Sequence, residues 1–376
     1  MTASPAPLRV LLVSANFRPS VGGVERYVEM LGGGLADRGH EVTVLACATG
    51  GAPRSETVDG MRVIRVPASG ILRSRFNVPY PLPEPVSTLR ALRRLVRWAD
   101  VVNPHDALYA TTTAALTTAR ALGVPSVLTQ HVGFVPQHRR FLDAAQRAAI
   151  QSVGRGARLA TKVVAYNPAV GDWAARTWGL RNVLIVAPGV SEASEVDREA
   201  VRSEHGIPHD RFVALFVGRD VPKKGLDVFL AARDPAYELV AVTDRAPAAS
   251  SEGSRIVPFV SPERFRELLS SVDAFVLPSE GEGFPLALQE ALVSGIPCVV
   301  TPGPGYDHYL HDGEAMFVRR DPGDIRATLQ QLVDDESLRT QLASRARAAG
   351  RREFGMDRFV EAYDDVYREA IAARLQ

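Results

Sequence analysis

Apolar residues in this chain alternate between short unbroken runs and stretches where they recur every three or four positions. The first run, Leu8-Arg9-Val10-Leu11-Leu12-Val13, stops at Ser14-Ala15-Asn16, as a strand buried on both faces should. Val24, Val28, Leu31 and Leu35 then mark a helix from Val24 to Arg38, ended by Gly39, and Glu41 to Ala46 reads as a second strand. Strand, helix and strand in this order make a βαβ unit, because parallel strands need a crossover. The alternation continues with strands from Val63 to Val66, at Val101-Val102, from Ser126 to Thr129, from Val163 to Ala165 and from Val183 to Val186. Helices are predicted from Val86 to Trp98, Ala107 to Leu122 and Phe141 to Thr161.

A fresh start follows at Phe212 to Val217, with a helix from Leu226 to Ala232 and strands from Glu238 to Val242, Arg255 to Phe259, Ala274 to Leu277 and Pro297 to Val300. The second half repeats the architecture of the first without repeating its sequence. The pattern predicts an α/β protein of two doubly wound domains, with ligands held where strand carboxyl ends open into a cleft. The turn Pro188-Gly189-Val190 and the charged stretch from Ser191 to Arg202 set the boundary: residues 1–187 form one domain and 188–355 the other. Residues 356–376 read as a charged helical ending that packs back toward the first domain.

Composition narrows the class. With 376 residues, 46% hydrophobic and 23% charged, the chain has the makeup of a soluble globular protein rather than a disordered one. No apolar run approaches the roughly 20 residues of a membrane span. Met1 to Pro7 lacks the basic start and apolar stretch of a signal peptide, and the two cysteines, Cys47 and Cys298, give neither a metal spacing nor a disulfide framework. A reducing, cytoplasmic setting is expected. The net charge of +1 conceals a polarity. Residues 1–185 hold 22 Lys+Arg against 11 Asp+Glu, a net of +11; the rest hold 22 against 32, a net of −10. Either the halves attract one another or the basic half meets an anionic partner or surface.

Four clusters fall at strand ends. Asn16 to Glu25 places Gly22 and Gly23 at a helix start, where backbone amides can approach an anion with no Cβ in the way; an ordinary βα turn would read the same. No Gly-x-Gly-x-x-Gly is present, which argues against a dinucleotide oxidoreductase. Gly218-Arg219 and Lys223-Lys224-Gly225 follow the first strand of the second domain. Two of the three lysines, in a chain with 41 arginines, sit here, a spacing suited to a pyrophosphate or to a solvated basic loop. Pro278 to Ala291 joins a strand to a helix through Gly281 and Gly283, with Glu282 in the loop and Glu290 about two turns along the helix. Carboxylates there can accept from sugar and ribose hydroxyls or simply complement the helix start. His105 and His131 each follow a strand of the first domain.

Taken together, Gly22-Gly23-Val24-Glu25, the passage Leu35 to Val42, Gly218-Arg219 with Lys224-Gly225, and Glu282 followed by seven residues and Glu290 resemble the family-4 group of retaining glycosyltransferases, over nearly the whole chain. The resemblance implies the GT-B fold, two Rossmann-like domains facing across a cleft, and transfer of a sugar from a nucleotide-diphosphate donor to a glycan, lipid-linked or small-molecule acceptor. It implies that Arg219 and Lys224 hold the donor diphosphate and offset charge on the departing nucleotide, with Gly23, beside Gly22, approaching the same phosphates. Glu282 would hold donor-sugar hydroxyls, Gly218, Gly283, Phe284 and Leu286 would line the donor, Glu290 would bind the ribose, and His131 would sit beside the transferred sugar. His105, Asp106 and Arg18 are the acceptor-side candidates. Attack and departure on one face of the sugar are implied. With no Asp-x-Asp in a plausible metal loop, no metal or other cofactor is expected.

Departures from the family pattern are Ala187 to Ser191, where Asn-Gly-Val-Asp is common, and Thr243-Asp244, where a Gly-x-Gly turn is common. They bear on the nucleotide base. From Arg62 to Ala99 there are eight arginines and one acid, Glu84. The helix carrying Arg90, Arg93, Arg94 and Arg97 suits the inner face of an anionic membrane, a phosphorylated acceptor, or a solvated helix packed by its apolar side. No nucleic-acid module is recognisable. A sugar-nucleotide epimerase on the same scaffold and a non-catalytic nucleotide-sugar or glycan binding protein are the rival readings.

Overall fold

The computed structural model describes residues 6–20, 22–48, 51–71, 81–132, 150–151, 153–154, 156–193, 196–246, 250–280, 285–303, 305–306 and 308–375. They form two compact units, one of Met1–Gly189 with Asp357–Gln376 and one of Val190–Met356.

The first unit is built on Arg9–Val13, whose residues Val10 to Val13 are wholly buried. It pairs in parallel with Glu41–Cys47 on one side and Val101–Pro104 on the other. The sheet order is Ser55–Val58, Met61–Val66, Glu41–Cys47, Arg9–Val13, Val101–Pro104. Parallel bridges Val102–Ser126 and His105–Thr129 carry it on into Val127–Gln130, Lys162–Ala165 and Val183–Ile185. Met61–Val66 also has an antiparallel neighbour, Ser55–Val58, reached through Asp59 (φ 46°) and Gly60 (φ 74°). That hairpin is absent from the sequence reading, as is the helix Pro168–Trp178, capped by Asn167 and closed by left-handed Gly179. The helix expected from Ala107 begins at Ala110. Most of the one expected from Phe141 to Thr161 lies outside the described residues.

In the second unit six parallel strands run in the order Ser254–Pro258, Tyr237–Thr243, Phe212–Val217, Ala274–Leu277, Cys298–Val300, Met316–Phe317. All strand positions from Tyr237 to Thr243 are buried, the signature of a sheet covered on both faces. The charged stretch that follows the boundary turn leads into a helix, Arg198–Glu204. Its Arg202 is buried and donates to the carbonyls of Ser271, Pro208, His209 and Arg211 and to Asp273. Asp273 also accepts from Arg198 and from the backbone of Val213, tying that helix to the sheet.

The last helix, Met356–Leu375, belongs with the first unit. Phe359, Tyr363 and Tyr367, spaced by four, are fully buried along one stripe. Tyr363 shares its hydroxyl with Tyr27 (2.9 Å) and Thr129 (2.8 Å), and Tyr367 donates to Asn103 (2.7 Å). Among the described residues no helix is long and apolar enough to cross a membrane.

Candidate active site

In the first unit the carboxyl end of Arg9–Val13 leads into the helix Gly23–Asp37, whose N-cap is Gly22. A Cβ on Gly22 would stand 2.2 Å from Glu25 Oε2, whereas one on Gly23 would meet nothing within 4 Å. The first turn therefore presents open backbone at Gly23, with the Glu25 carboxylate folded against the positive helix end. Arg18 is turned toward carboxylates: its Nε donates to Glu29 (2.8 Å) and its guanidinium lies 3.3 Å from Asp59. Its backbone carbonyl accepts from the buried Arg65.

His105 and His131 come together. His105 Nδ1 lies 3.0 Å from His131 Nε2 with the rings stacked, and Tyr27 meets His131 edge-on at 4.6 Å. Burial drives both imidazoles down, His131 to about 3, so both are neutral at pH 7. His105 Nε2 is buried and has no hydrogen-bond partner among the described residues. A bare ring nitrogen tolerates this better than an orphaned N–H. The arrangement assigns the His105 proton to Nδ1, donating to His131, and leaves the His131 proton on Nδ1. Asp106, at φ 58°, accepts through Oδ1 from Gln130 Nε2 (2.8 Å) and from the backbone of His131 (3.1 Å) and Val132 (3.4 Å). Burial pushes its carboxyl up to about 7, against the pull of those two backbone N–H groups. His131 is 8% exposed and His105 not at all, so His105 supports the pair from behind.

In the second unit Phe212–Val217 ends at Gly218, and a 3-10 turn, Pro222–Lys224, precedes the helix Leu226–Ala231. A Cβ on Gly218 would stand 3.1 Å from Phe216 and 3.4 Å from Lys224 Cδ, so the lysine stem lies against the strand end beside exposed Arg219. Gly225 is at φ +77°, and a Cβ there would be 2.2 Å from the Pro278 carbonyl oxygen. Only glycine fits. The lysine turn is stitched to the next strand end: Glu280 N donates to Lys223 O (2.8 Å). Arg320 clamps the two, donating to the carbonyls of Pro278 and Pro222 and pairing with Glu280. Arg320 is absent from the sequence reading, and its contacts span 42 and 98 positions, beyond any local signal.

Thr243-Asp244 has a structural role. Asp244 accepts from the backbone of Asp220 (2.6 Å), which with nearby Arg219 holds its carboxyl below the ordinary range. Asp220 in turn holds Arg245, which also reaches Asp227. Glu290 lies on Leu286–Val293, largely buried, and its carbonyl accepts from Ser294 Oγ. Leu286 opens that helix. Glu282, Gly283 and Phe284 lie outside the described residues. Among the described residues no group of three His, Cys, Asp or Glu side chains is placed to hold a metal ion.

Residues 21–194 match the sequence model of Glycosyltransferase Family 4 and residues 248–349 that of Glycosyl transferases group 1. A GDP-mannose-dependent alpha-mannosyltransferase of Mycobacterium tuberculosis is 32% identical, over 79% of this chain and 80% of its own. The chain is a family-4 glycosyltransferase. This glycosyltransferase is also 29% identical to the D-inositol 3-phosphate glycosyltransferase of Xylanimonas cellulosilytica, over 97% of its length and 98% of the relative's. In fold it matches Anabaena HepE, solved in complex with UDP, with a TM-score of 0.74 at 15% identity, covering 96% of this chain and all of HepE. The fold is GT-B.

Proposed function

We propose that this glycosyltransferase moves a sugar, with retention of anomeric configuration, from a nucleotide-diphosphate donor to a hydroxyl of a glycan, lipid-linked or small-molecule acceptor. The observation that carries the reading is the turn Gly218–Gly225, which holds Lys224 against the strand end next to Arg219 in a backbone geometry that requires glycine at 225. The anomeric carbon–phosphate oxygen bond breaks as the acceptor oxygen bonds to the same face, and the acceptor proton passes to the leaving diphosphate. Arg219 and Lys224 offset the charge that develops there, the kind of preorganised stabilisation that lowers a barrier directly. Gly23 brings bare backbone to phosphate, Glu290 takes the ribose and Glu282 the sugar hydroxyls. Neutral His131 presents Nδ1–H to the sugar. Turnover requires no divalent cation in this reading. The relatives' names point to UDP and GDP among donors. The buried, unpaired thiols of Cys47 and Cys298 fit a reducing cytoplasm.

Calorimetry against UDP, GDP, ADP and dTDP tests this. One diphosphate should bind wild type, in EDTA, and bind Lys224→Ala at least about tenfold more weakly, as loss of a charge-assisted bond predicts. Equal binding by Lys224→Ala would overturn the assignment.

A further inference from the structure

The transfer reaction leaves one prominent surface unused. The helix Pro85–Trp98 buries Thr88, Leu92, Leu95 and Val96, packed with Leu11, Val13, Ala115 and Ala119. Its other side is exposed and carries Arg90, Arg93, Arg94 and Arg97, which with Pro85, Val86 and Leu89 line a shallow groove of about 630 Å³. None of the four arginines is within ion-pair distance of a carboxylate among the described residues. The two acids that flank the helix are engaged elsewhere: Glu84 accepts from the backbone amides of Val86 and Ser87, and Asp100 accepts from Arg9.

A solvated helix face usually interleaves opposite charges at i+3 and i+4, because like charges at that spacing repel. Here Arg90–Arg93, Arg90–Arg94, Arg93–Arg97 and Arg94–Arg97 are all like pairs at those spacings. Among the described residues no carboxylate forms an ion pair with them, so anions brought from outside would relieve that repulsion. Guanidinium forks match phosphate oxygens. The same groove also shows apolar groups to water: Val86 is 62% exposed and Leu89 40%. A soluble anion gains nothing from them. A bilayer offers both anionic headgroups and an acyl boundary.

We propose that the outer face of the helix Pro85–Trp98 docks this glycosyltransferase onto anionic lipid bilayers, Arg90, Arg93, Arg94 and Arg97 meeting lipid phosphates and Val86 and Leu89 entering the headgroup–acyl boundary. The surface is independent of the transfer site, so the two readings stand or fall separately.

Co-sedimentation of the full chain with vesicles tests it, using pure phosphatidylcholine and phosphatidylcholine with about 30 mol % phosphatidylglycerol, a range in which surface charge governs binding. Wild type should bind only the anionic vesicles, and less at high salt. Each arginine near such a surface is worth about fivefold in partitioning, so Arg93→Ala with Arg97→Ala should bind roughly 25-fold more weakly. Val86→Ser with Leu89→Ser should abolish the part of binding that survives high salt. All four positions are exposed, and an unchanged melting temperature will show that the variants fold. Equal binding to neutral vesicles, no binding to anionic ones, or wild-type binding by the arginine variant would overturn the proposal. So would complete displacement by inorganic phosphate, which would mark a small-anion site, or by RNA in preference to vesicles.

Discussion

Replacing Gly225 by alanine should damage both the fold of the second unit and its grip on the donor. Alanine at φ +77° carries roughly 1–2 kcal/mol of left-handed strain, of which about 0.4–1 kcal/mol is offset by the stiffer unfolded chain. The new Cβ would lie 2.2 Å from the Pro278 carbonyl oxygen, a backbone atom that cannot rotate away. Relieving such overpacking typically costs 1–3 kcal/mol. The sum is about 1–5 kcal/mol. For Val190–Met356 this lowers the melting temperature by roughly 2–20 °C. The relief must also part the lysine turn from the Pro278–Glu280 segment and disturb the Arg320 clamp, so diphosphate affinity should fall with stability. Gly253 supplies the control: it is at φ +73°, but a Cβ there meets nothing within 4 Å. Gly253→Ala carries the strain without the clash. Denaturation and calorimetry on both variants decide the matter. If Gly225→Ala loses no more stability or affinity than Gly253→Ala, the close approach to Pro278 is not what holds the turn.

Three further outcomes follow from buried polar groups. Asp106 holds its proton up to about pH 7 in the folded state against an ordinary 3.8, so it withdraws stability as pH rises from 4 to 7; His131, ordinarily 6.5 and here about 3, withdraws it as pH falls through that window. Asp106→Asn removes the first slope, so the variant should lose stability on acidification more steeply than wild type, by up to roughly 4 kcal/mol, and parallel melting profiles would contradict the assignment. Nitrogen NMR should find His131 protonated on Nδ1; His105→Asn, whose amide can donate from the same place, should keep that tautomer and His105→Leu should lose it. Arg202→Met removes the buried donor shared by four carbonyls and leaves Asp273 only Arg198 and the Val213 amide, and should lower stability in urea by about 3–5 kcal/mol.

Most strands are legible because each is a short apolar run, though the two-residue Met316–Phe317 is too short to show one, and Gly22-Gly23 and Gly218–Gly225 are legible because both sit where a strand turns into a helix. What escaped was marked differently. Ser55–Val58 alternates exposed and half-buried positions and has no apolar run, although Asp59-Gly60 is a strong hairpin signal. Pro168–Trp178 announces itself through Asn167-Pro168 and Gly179. The last helix was read for its charges, yet Phe359, Tyr363 and Tyr367 recur at four-residue spacing. Thr243-Asp244 reads from the sequence only as a departure from a Gly-x-Gly turn, and the bracing of the Asp220 backbone by Asp244 emerges only in the fold. Arg320 gave no sign, since its partners are assembled only by the fold.

The buried tyrosines of the closing helix also impose an order in time. Val190–Met356 is one continuous stretch, so on a growing chain it can complete its own sheet as soon as it is made. The first unit cannot finish until synthesis reaches Asp357–Gln376. Until then Tyr27, Thr129 and Asn103 lack the hydroxyls of Tyr363 and Tyr367, and the apolar stripe beneath Phe359 stays open. The half of the enzyme translated first is the half that matures last, and a premature stop before Tyr363 would strand the N-terminal unit while sparing the other.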